Sequence, residues 1–376
     1  MKTLLLAVIG ISGIALGACS SDVQGPSGGG APGPGGSSSG GSSSGNSSSG
    51  GASSSGGTSS SGGTSSGGTS SGGGSSSGNP VNTTTWDSTT KLTANVDIIA
   101  GATVTIAAGA TIDVSSGVTI TVHGTLTASD KASHAKLTNA TSWGGIVVAS
   151  GGTMNLVGVD LENATSGIHV FANDAAAEYD YGVLTGGMFT VDTNGTFKTD
   201  HVTVVKGGSS MVNGTFTATY LDWAASSLSM GDATASVFVG DTKITGVGGD
   251  FFTPSAGKLL HIEYSTIDGT HCPVHFSGVT KFELDHITTG GTGATSNSGW
   301  GLMLYNADPG PHSIKNSNFN DPYWDQTQHG VTIDVDHTWI KSIGPQPAVG
   351  AIVVTNKQTS AAGNPDAKPR GAPGSM

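Results

Sequence analysis

The chain has 376 residues, a formal net charge of −12 and 62 glycines, and only 11% of its residues are charged. This balance argues against a nucleic-acid partner, whose binding rests on Lys and Arg neutralising phosphates. The single arginine is Arg370, in a Pro/Gly-rich tail, and two cysteines, one of them Cys19 near the N-terminus, leave no disulfide framework.

Lys2 precedes an apolar stretch over residues 4–16. The stretch is too short to span a bilayer, which takes about 20 apolar residues, and reads as a secretory signal. It ends in Leu16-Gly17-Ala18-Cys19, which resembles the lipobox of bacterial lipoproteins. The resemblance implies that residues 1–18 are removed and that Cys19 is acylated and becomes the first mature residue. More than one acyl chain makes a stable anchor. Ser20 follows where an Asp would resemble the inner-membrane retention signal, so the expected location is the outer membrane or cell surface.

Residues 19–80 are then expected to form a tether. From Gly25 to Asn79 the chain is almost only Gly, Ser and Thr. With nothing apolar to bury, ordering entropy is not offset. These ~55 residues have a root-mean-square reach of roughly 40 Å as a flexible coil.

Residues 81–357 carry the fold, followed by a flexible tail over 358–376. Gly, Thr, Ser, Val and Ile dominate, the composition of an all-β chain with many tight turns. Glycines at 101, 109, 117 and 124 separate short alternating runs: Val104-Thr105-Ile106, Ile112-Asp113-Val114 and Ile120-Thr121-Val122. Alternation sends one set of side chains inward and the other outward. Three such strands make one solenoid coil of roughly 24 residues.

Further on, paired apolar anchors recur five apart: Leu156…Leu161, Phe197…Val202, Phe216…Leu221, Ile262…Ile267, Phe282…Ile287, Ile314…Phe319 and Val335…Ile340. Most are followed by a turn and another alternating strand. These are Ile168-His169-Val170, Val237-Phe238-Val239, Val274-His275-Phe276, Leu302-Met303-Leu304, Val331-Thr332-Ile333 and Ile352-Val353-Val354. About ten coils are expected, and ~4.8 Å per coil gives a rod of about 50 Å.

The run Val118-Thr119-Ile120-Thr121-Val122-His123-Gly124-Thr125-Leu126-Thr127-Ala128, with Trp143-Gly144-Gly145-Ile146 after it, resembles the N-terminal coils of right-handed parallel β-helix proteins of the pectin-lyase-like superfamily. The fold this implies is a right-handed parallel β-helix. It does not fix an activity, because one fold hosts many functions.

Two places attract a functional reading. The residues just before the second anchor, Asp160, His201, Tyr220, Thr266, His286, Asn318 and Trp339, are expected to form an outward stripe on one strand stack, read first as a solvated face. Longer C-terminal turns carry a second group. Stacked coils are expected to bring the ligand-binding candidates Asp268, His271, His275, Trp300, Tyr323 and Trp324 to one edge. Asp321, Asp325 and His329 join them as catalytic candidates. Aromatic faces suit sugar C–H surfaces, and two carboxylates at the right separation suit glycoside hydrolysis.

His271-Cys272-Pro273-Val274-His275 contains zinc-type ligands. Yet Val274 and Phe276 are expected inward, His275 outward and Cys272 in the turn, so no metal site is expected. Among enzymes of the resembled fold, pectate lyases use a catalytic arginine and calcium, and Arg370 lies outside any coil. Polygalacturonases combine aspartates with Gly-His-Gly and Arg-Ile-Lys segments. Gln328-His329-Gly330 is distantly similar to the first, and Lys341-Ser342-Ile343 lacks the arginine of the second. Lys281, Lys315 and Lys341, on neighbouring coils, keep a lysine-based lyase open. No cofactor is expected beyond calcium, the one ion the resemblance brings in. The leading expectation is a non-catalytic, surface-displayed, monomeric β-helix that binds polysaccharide or a cell-surface partner. The alternatives are a polysaccharide hydrolase or lyase, and a structural stalk.

Overall fold

The computed structural model describes residues 78–171, 173–246, 250–268, 272–276, 278–279, 281–289, 303–304, 312–319, 323–324, 332–336, 339–340 and 353–355. The described elements are strands and turns, with no helix among them, and every pairing is parallel. They form a parallel β-solenoid with three strand stacks. Face 1 begins with Asn79–Val81, face 2 with Thr84–Trp86 and face 3 with Lys91–Leu92, and the chain visits them in that order on each circuit.

Face 2 is a continuous 13-stranded sheet. Faces 1 and 3 merge into a 22-stranded sheet because two long strands, Thr203–Val212 and Asp222–Met230, run through both. Bonded partners on successive coils are separated by 19 residues at Asp200 and Thr219, and by 30 at Ile287 and Ser317. Turns between faces absorb that variation while strand register is kept.

The early coil has the expected form. Thr103–Ile106, Thr111–Val114 and Thr119–Val122 lie on faces 2, 3 and 1, and the next coil opens with Thr125 in register with Thr103. Gly101, Gly109 and Gly117 all have positive φ (80°, 68°, 73°), the conformation that glycine adopts without steric cost. Gly124 is needed for a different reason. A Cβ there would run into the carbonyls of Ile99 and Ala102.

Inward positions fill one continuous core. Val104, Leu126, Leu156, Phe197, Phe216, Leu260 and Phe282 are all fully buried. Its middle section is aromatic: Phe189 meets Phe197 at 5.0 Å, and Trp223 meets Phe251 edge-on at 5.1 Å. His312 takes an aromatic position in this core. It stacks on Phe282 at 4.1 Å and its Nδ1 accepts the Phe282 N–H.

The six anchor pairs from Leu156…Leu161 to Ile314…Phe319 are buried as expected, but they mix two registers. In Phe197…Val202, Phe216…Leu221 and Phe282…Ile287, the residue before the second anchor turns the corner from face 2 to face 3 with positive φ. In Leu156…Leu161, Ile262…Ile267 and Ile314…Phe319 that corner residue is Gly158, Tyr264 or Asn316, and the residue before the second anchor lies on a face 3 strand. The expected single stripe is therefore two columns. Asp160, Thr266, Asn318 and Trp339 belong to face 3, whereas His201, Tyr220 and His286 belong to the corner. A slip of two residues preserves which side faces in, so hydrophobic alternation does not separate the two registers.

Candidate functional site

The C-terminal cluster is only partly placed. His271, Trp300, Asp321, Asp325 and His329 lie outside the described residues, as does Cys19. Tyr323–Trp324 forms a strand of face 1 in register with Met303–Leu304, which continues Cys272–Phe276; the pairings are His275 to Met303 and Met303 to Tyr323. Tyr323 and Trp324 are thus strand residues rather than turn residues. Cys272 opens a strand in the same way instead of closing a turn. Thr332 belongs to face 2, away from the His275 column, because Thr332–Asp336 pairs with His312–Lys315. Asp268 ends a face 3 strand in register with Thr245. His275 takes its partner from the preceding coil, with Nδ1 2.7 Å from Asp250 Oδ2. Among the described residues no three His, Cys, Asp or Glu side chains are placed to hold a metal ion.

The most organised array is the corner between faces 2 and 3. Over seven successive coils its corner residues are Tyr181, His201, Tyr220, Asp241, Tyr264, His286 and Asn316, with φ between 47° and 54°. A bulky side chain in this region is an outlier, since the left-handed conformation costs an L-residue roughly 1–2 kcal/mol. Two regular contacts offset that cost. The first six corner N–H groups donate to a carbonyl of the next coil: Tyr181 to Asp200, His201 to Thr219, Tyr220 to Gly240, Asp241 to Glu263, Tyr264 to Asp285 and His286 to Lys315. The side chains then project alike and stack. Tyr181 and His201 are 4.8 Å apart, His201 and Tyr220 4.6 Å, and Tyr264 and His286 4.3 Å, with interplanar angles of 11°, 28° and 20°. Lys131 Nζ lies 5.0 Å from the Tyr181 ring centroid, on the ladder's first ring.

Carboxylates accompany the rings, because the last strand residue before each corner shares a register column: Asp180, Asp200, Thr219, Gly240, Glu263, Asp285 and Lys315. Asp200 accepts from His201 Nδ1 at 2.8 Å and from the Thr219 hydroxyl at 2.7 Å. Asp285 accepts from Asn316 Nδ2 at 2.9 Å. His286 Nδ1 is also close, 2.8 Å from Asp285 Oδ1, but without the alignment of a hydrogen bond. Two residues back on face 2, Phe238 stacks on His261 at 4.8 Å, and His261 Nδ1 donates to Glu283 at 2.9 Å. Lys281 bonds the other Glu283 oxygen at 2.6 Å, and with His261 it holds that carboxyl below the usual range. Asp180 goes the other way. Burial, then the neighbouring Glu178 and Asp200 charges, push it up to about 7.

This geometry limits what the ladder can recognise. Rings stacked at 4.3–4.8 Å have their faces covered by each other. What remains for a ligand is a row of ring edges, phenol hydroxyls and carboxylates at one-coil intervals. Sequence reading reached His201, Tyr220 and His286 but missed Tyr181, Tyr264, Asp180 and Asp200. A recurring signal was present: an acid or Thr, then Tyr or His, closing an alternating strand, as in Asp180-Tyr181, Asp200-His201, Thr219-Tyr220, Glu263-Tyr264 and Asp285-His286. Compared with known proteins, the chain matches no family model, no curated protein and no solved structure.

Proposed function

We propose that this chain is a surface-displayed, non-catalytic β-solenoid of the pectin-lyase-like kind that binds glycan along the corner between faces 2 and 3, carried on a lipidated tether. The observation that supports the reading is the ladder itself. It supplies acceptors and donors in a straight row, and a linear polysaccharide repeats hydroxyls in a straight row. Three acids on or beside the corner are fixed by partners: Asp200 by His201 and Thr219, Glu283 by Lys281 and His261, Asp285 by Asn316. Fixed carboxylates serve as acceptors for sugar hydroxyls at little ordering cost.

One observation favours a hydrolase instead. Asp180, pushed to about 7, is the register neighbour of Asp200, which accepts from His201 and Thr219. A carboxyl raised toward neutral pH beside a second carboxyl is an arrangement that glycoside hydrolysis can use.

The test incubates the full chain with neutral and acidic polysaccharides, with and without calcium, and reads retention and cleavage together. Retention without cleavage, lost in Asp200→Asn with Asp285→Asn but kept in Trp324→Ala with Asp325→Ala, supports the corner reading. Cleavage abolished by Asp180→Asn supports the hydrolase, and cleavage surviving it turns attention to Asp321, Asp325 and His329. Neither retention nor cleavage removes both readings and leaves the stalk.

A further inference from the structure

The corner ladder presents ring edges, but an open ring lies elsewhere, at the end of face 1. Phe171 follows the strand Ile168–Val170 and is 50% exposed, whereas Phe189, Phe197 and Phe216 are fully buried. Its backbone keeps the coil register. The Phe171 N–H donates to the Val148 carbonyl, the Asp192 N–H to Val170 and the Asn213 N–H to Val191, on three successive coils. Phe171, Asp192 and Asn213 therefore hold one column, with steps of about 4.8 Å. The column beside it is His169, Thr190 and Met211, paired in register on the same coils. Met211, 47% exposed, is the other open apolar side chain of this grid. Partners hold the grid in place: His169 Nε2 lies 3.1 Å from Asp192 Oδ2, and the His169 ring meets Phe171 at 5.5 Å with an interplanar angle of 89°. An edge contact of this kind covers at most one face of the Phe171 ring. Hydrogen-bonding capacity is left over among the described residues. Asp192 has a second carboxylate oxygen, Asn213 accepts from the Gly231 N–H at 3.2 Å through its Oδ1 and keeps its amide donors, and the Thr190 hydroxyl has no partner.

From this arrangement we infer that the grid is a separate sugar-binding subsite, in which one neutral pyranose ring lies on Phe171 and its hydroxyls bond Thr190, Asp192 and Asn213. The assignment shares the class of ligand with the corner reading but rests on other residues. Size argues for a small ligand. Half of an aromatic side chain offers on the order of 100 Å² of apolar surface. Even with Met211 added, that is far below the roughly 800 Å² per partner of a stable protein interface. Chemistry argues for a sugar. A pyranose has a C–H face, and its rim carries hydroxyls that both donate and accept. The grid answers with an open aromatic ring bordered by a carboxylate acceptor, amide donors and a hydroxyl, the pattern of an apolar contact oriented by a few polar groups. Because His169 already fixes Asp192, that acceptor is ordered before a ligand arrives. An acidic sugar would meet the Asp192 carboxylate and the chain's net charge of −12 with like charge.

The experiment titrates the full chain with β-1,4-linked tetramers of glucose and of N-acetylglucosamine, and with an α-1,4-linked galacturonate tetramer. Binding is read by calorimetry and by the NMR signals of the Phe171 ring and the Met211 methyl. The expected result is that a neutral tetramer binds and shifts both signals, whereas the galacturonate tetramer shifts neither. Phe171→Ala should weaken that binding about tenfold. Phe171→Trp keeps a flat ring and should hold the affinity within threefold or tighten it. Val205→Ala, a change at an exposed apolar residue away from the grid, should leave it unchanged. No shift at Phe171 with either neutral tetramer, a Phe171→Ala affinity within twofold of the parent, or a loss in Phe171→Trp as large as in Phe171→Ala overturns the subsite. The ring signals of His201 and Tyr220 separate the two glycan readings. A tetramer that shifts those rings but not Phe171 overturns the subsite and favours the corner; one that shifts Phe171 but not those rings supports the subsite and counts against the corner.

Discussion

His201 offers the cleanest test of how the corner is held. Its ring lies between Tyr181 and Tyr220, its Nδ1 bonds Asp200, and its φ is 52°. His201→Ala removes two ring contacts, each worth about 0.5–1.5 kcal/mol, and a half-exposed hydrogen bond worth about 0.5–1 kcal/mol. The left-handed strain stays, because alanine carries a Cβ. The expected loss is about 1.5–4 kcal/mol. His201→Gly removes the same contacts but also releases roughly 1 kcal/mol of strain. Glycine should therefore be the more stable variant by about 1 kcal/mol, the reverse of the order found within ordinary strands and helices. Solenoids need not unfold in one step, so a global melt blurs the comparison. Native-state hydrogen exchange at the amides of Tyr181, His201 and Tyr220 reads the affected coils directly, since all three donate across the corner. Alanine equal to or better than glycine would refute the strain argument. Unchanged exchange in both variants would refute the stacking argument.

Three further outcomes are expected. Asp180 holds its proton to about pH 7 in the fold, whereas an unfolded aspartate releases it near 4. Folding thus binds a proton between those values, and stability should fall as pH rises from about 4 to about 7. Asp180→Asn should flatten that window and stabilise the protein at pH 7 by about 1–2 kcal/mol after solvent screening, as read by urea unfolding at several pH values. A Cβ at Gly182 would strike the Val159 carbonyl and the Tyr179 hydroxyl, which donates to that carbonyl at 2.8 Å. Gly182→Ala should cost about 2–3 kcal/mol and Tyr179→Phe about 1 kcal/mol in chemical denaturation. Cys19→Ser should move the chain from the detergent to the aqueous phase in a partition experiment; continued detergent partitioning would remove the lipid anchor.

Strand alternation was legible because period-two burial is a local property. Val104-Thr105-Ile106 and Ile120-Thr121-Val122 alternate in the sequence and are buried alternately in the fold. Assigning strands to faces was harder. Val237-Phe238-Val239 and Ile168-His169-Val170 look alike, yet one lies on face 2 and the other on face 1. Alternation says which side chains point inward, not which side of the triangle a strand occupies. That information resides in the corners, where the marker is a conformation rather than a hydropathy. Glycine signals it plainly at 101, 109 and 117. At Tyr181, His201 and Tyr264 the same φ is carried by residues that normally avoid it, so the corner was hidden.

The choice of residues at that corner bears on function through a physical trade. Glycine or asparagine would turn the chain from face 2 to face 3 with less strain, as Gly158 and Asn316 do on coils of this same protein. Tyr and His at the coils between them need ring stacking to offset the strain, and stacking covers the very faces that would otherwise lie against sugar rings. A ladder of this kind is therefore a poor continuous platform for sugar stacking but a good row of edges. Ring faces become usable only where the stack ends or is broken. Lys131 occupies one end of it. Contact along the chain of a ligand therefore falls to the ring edges and the acids of successive coils rather than to the ring faces.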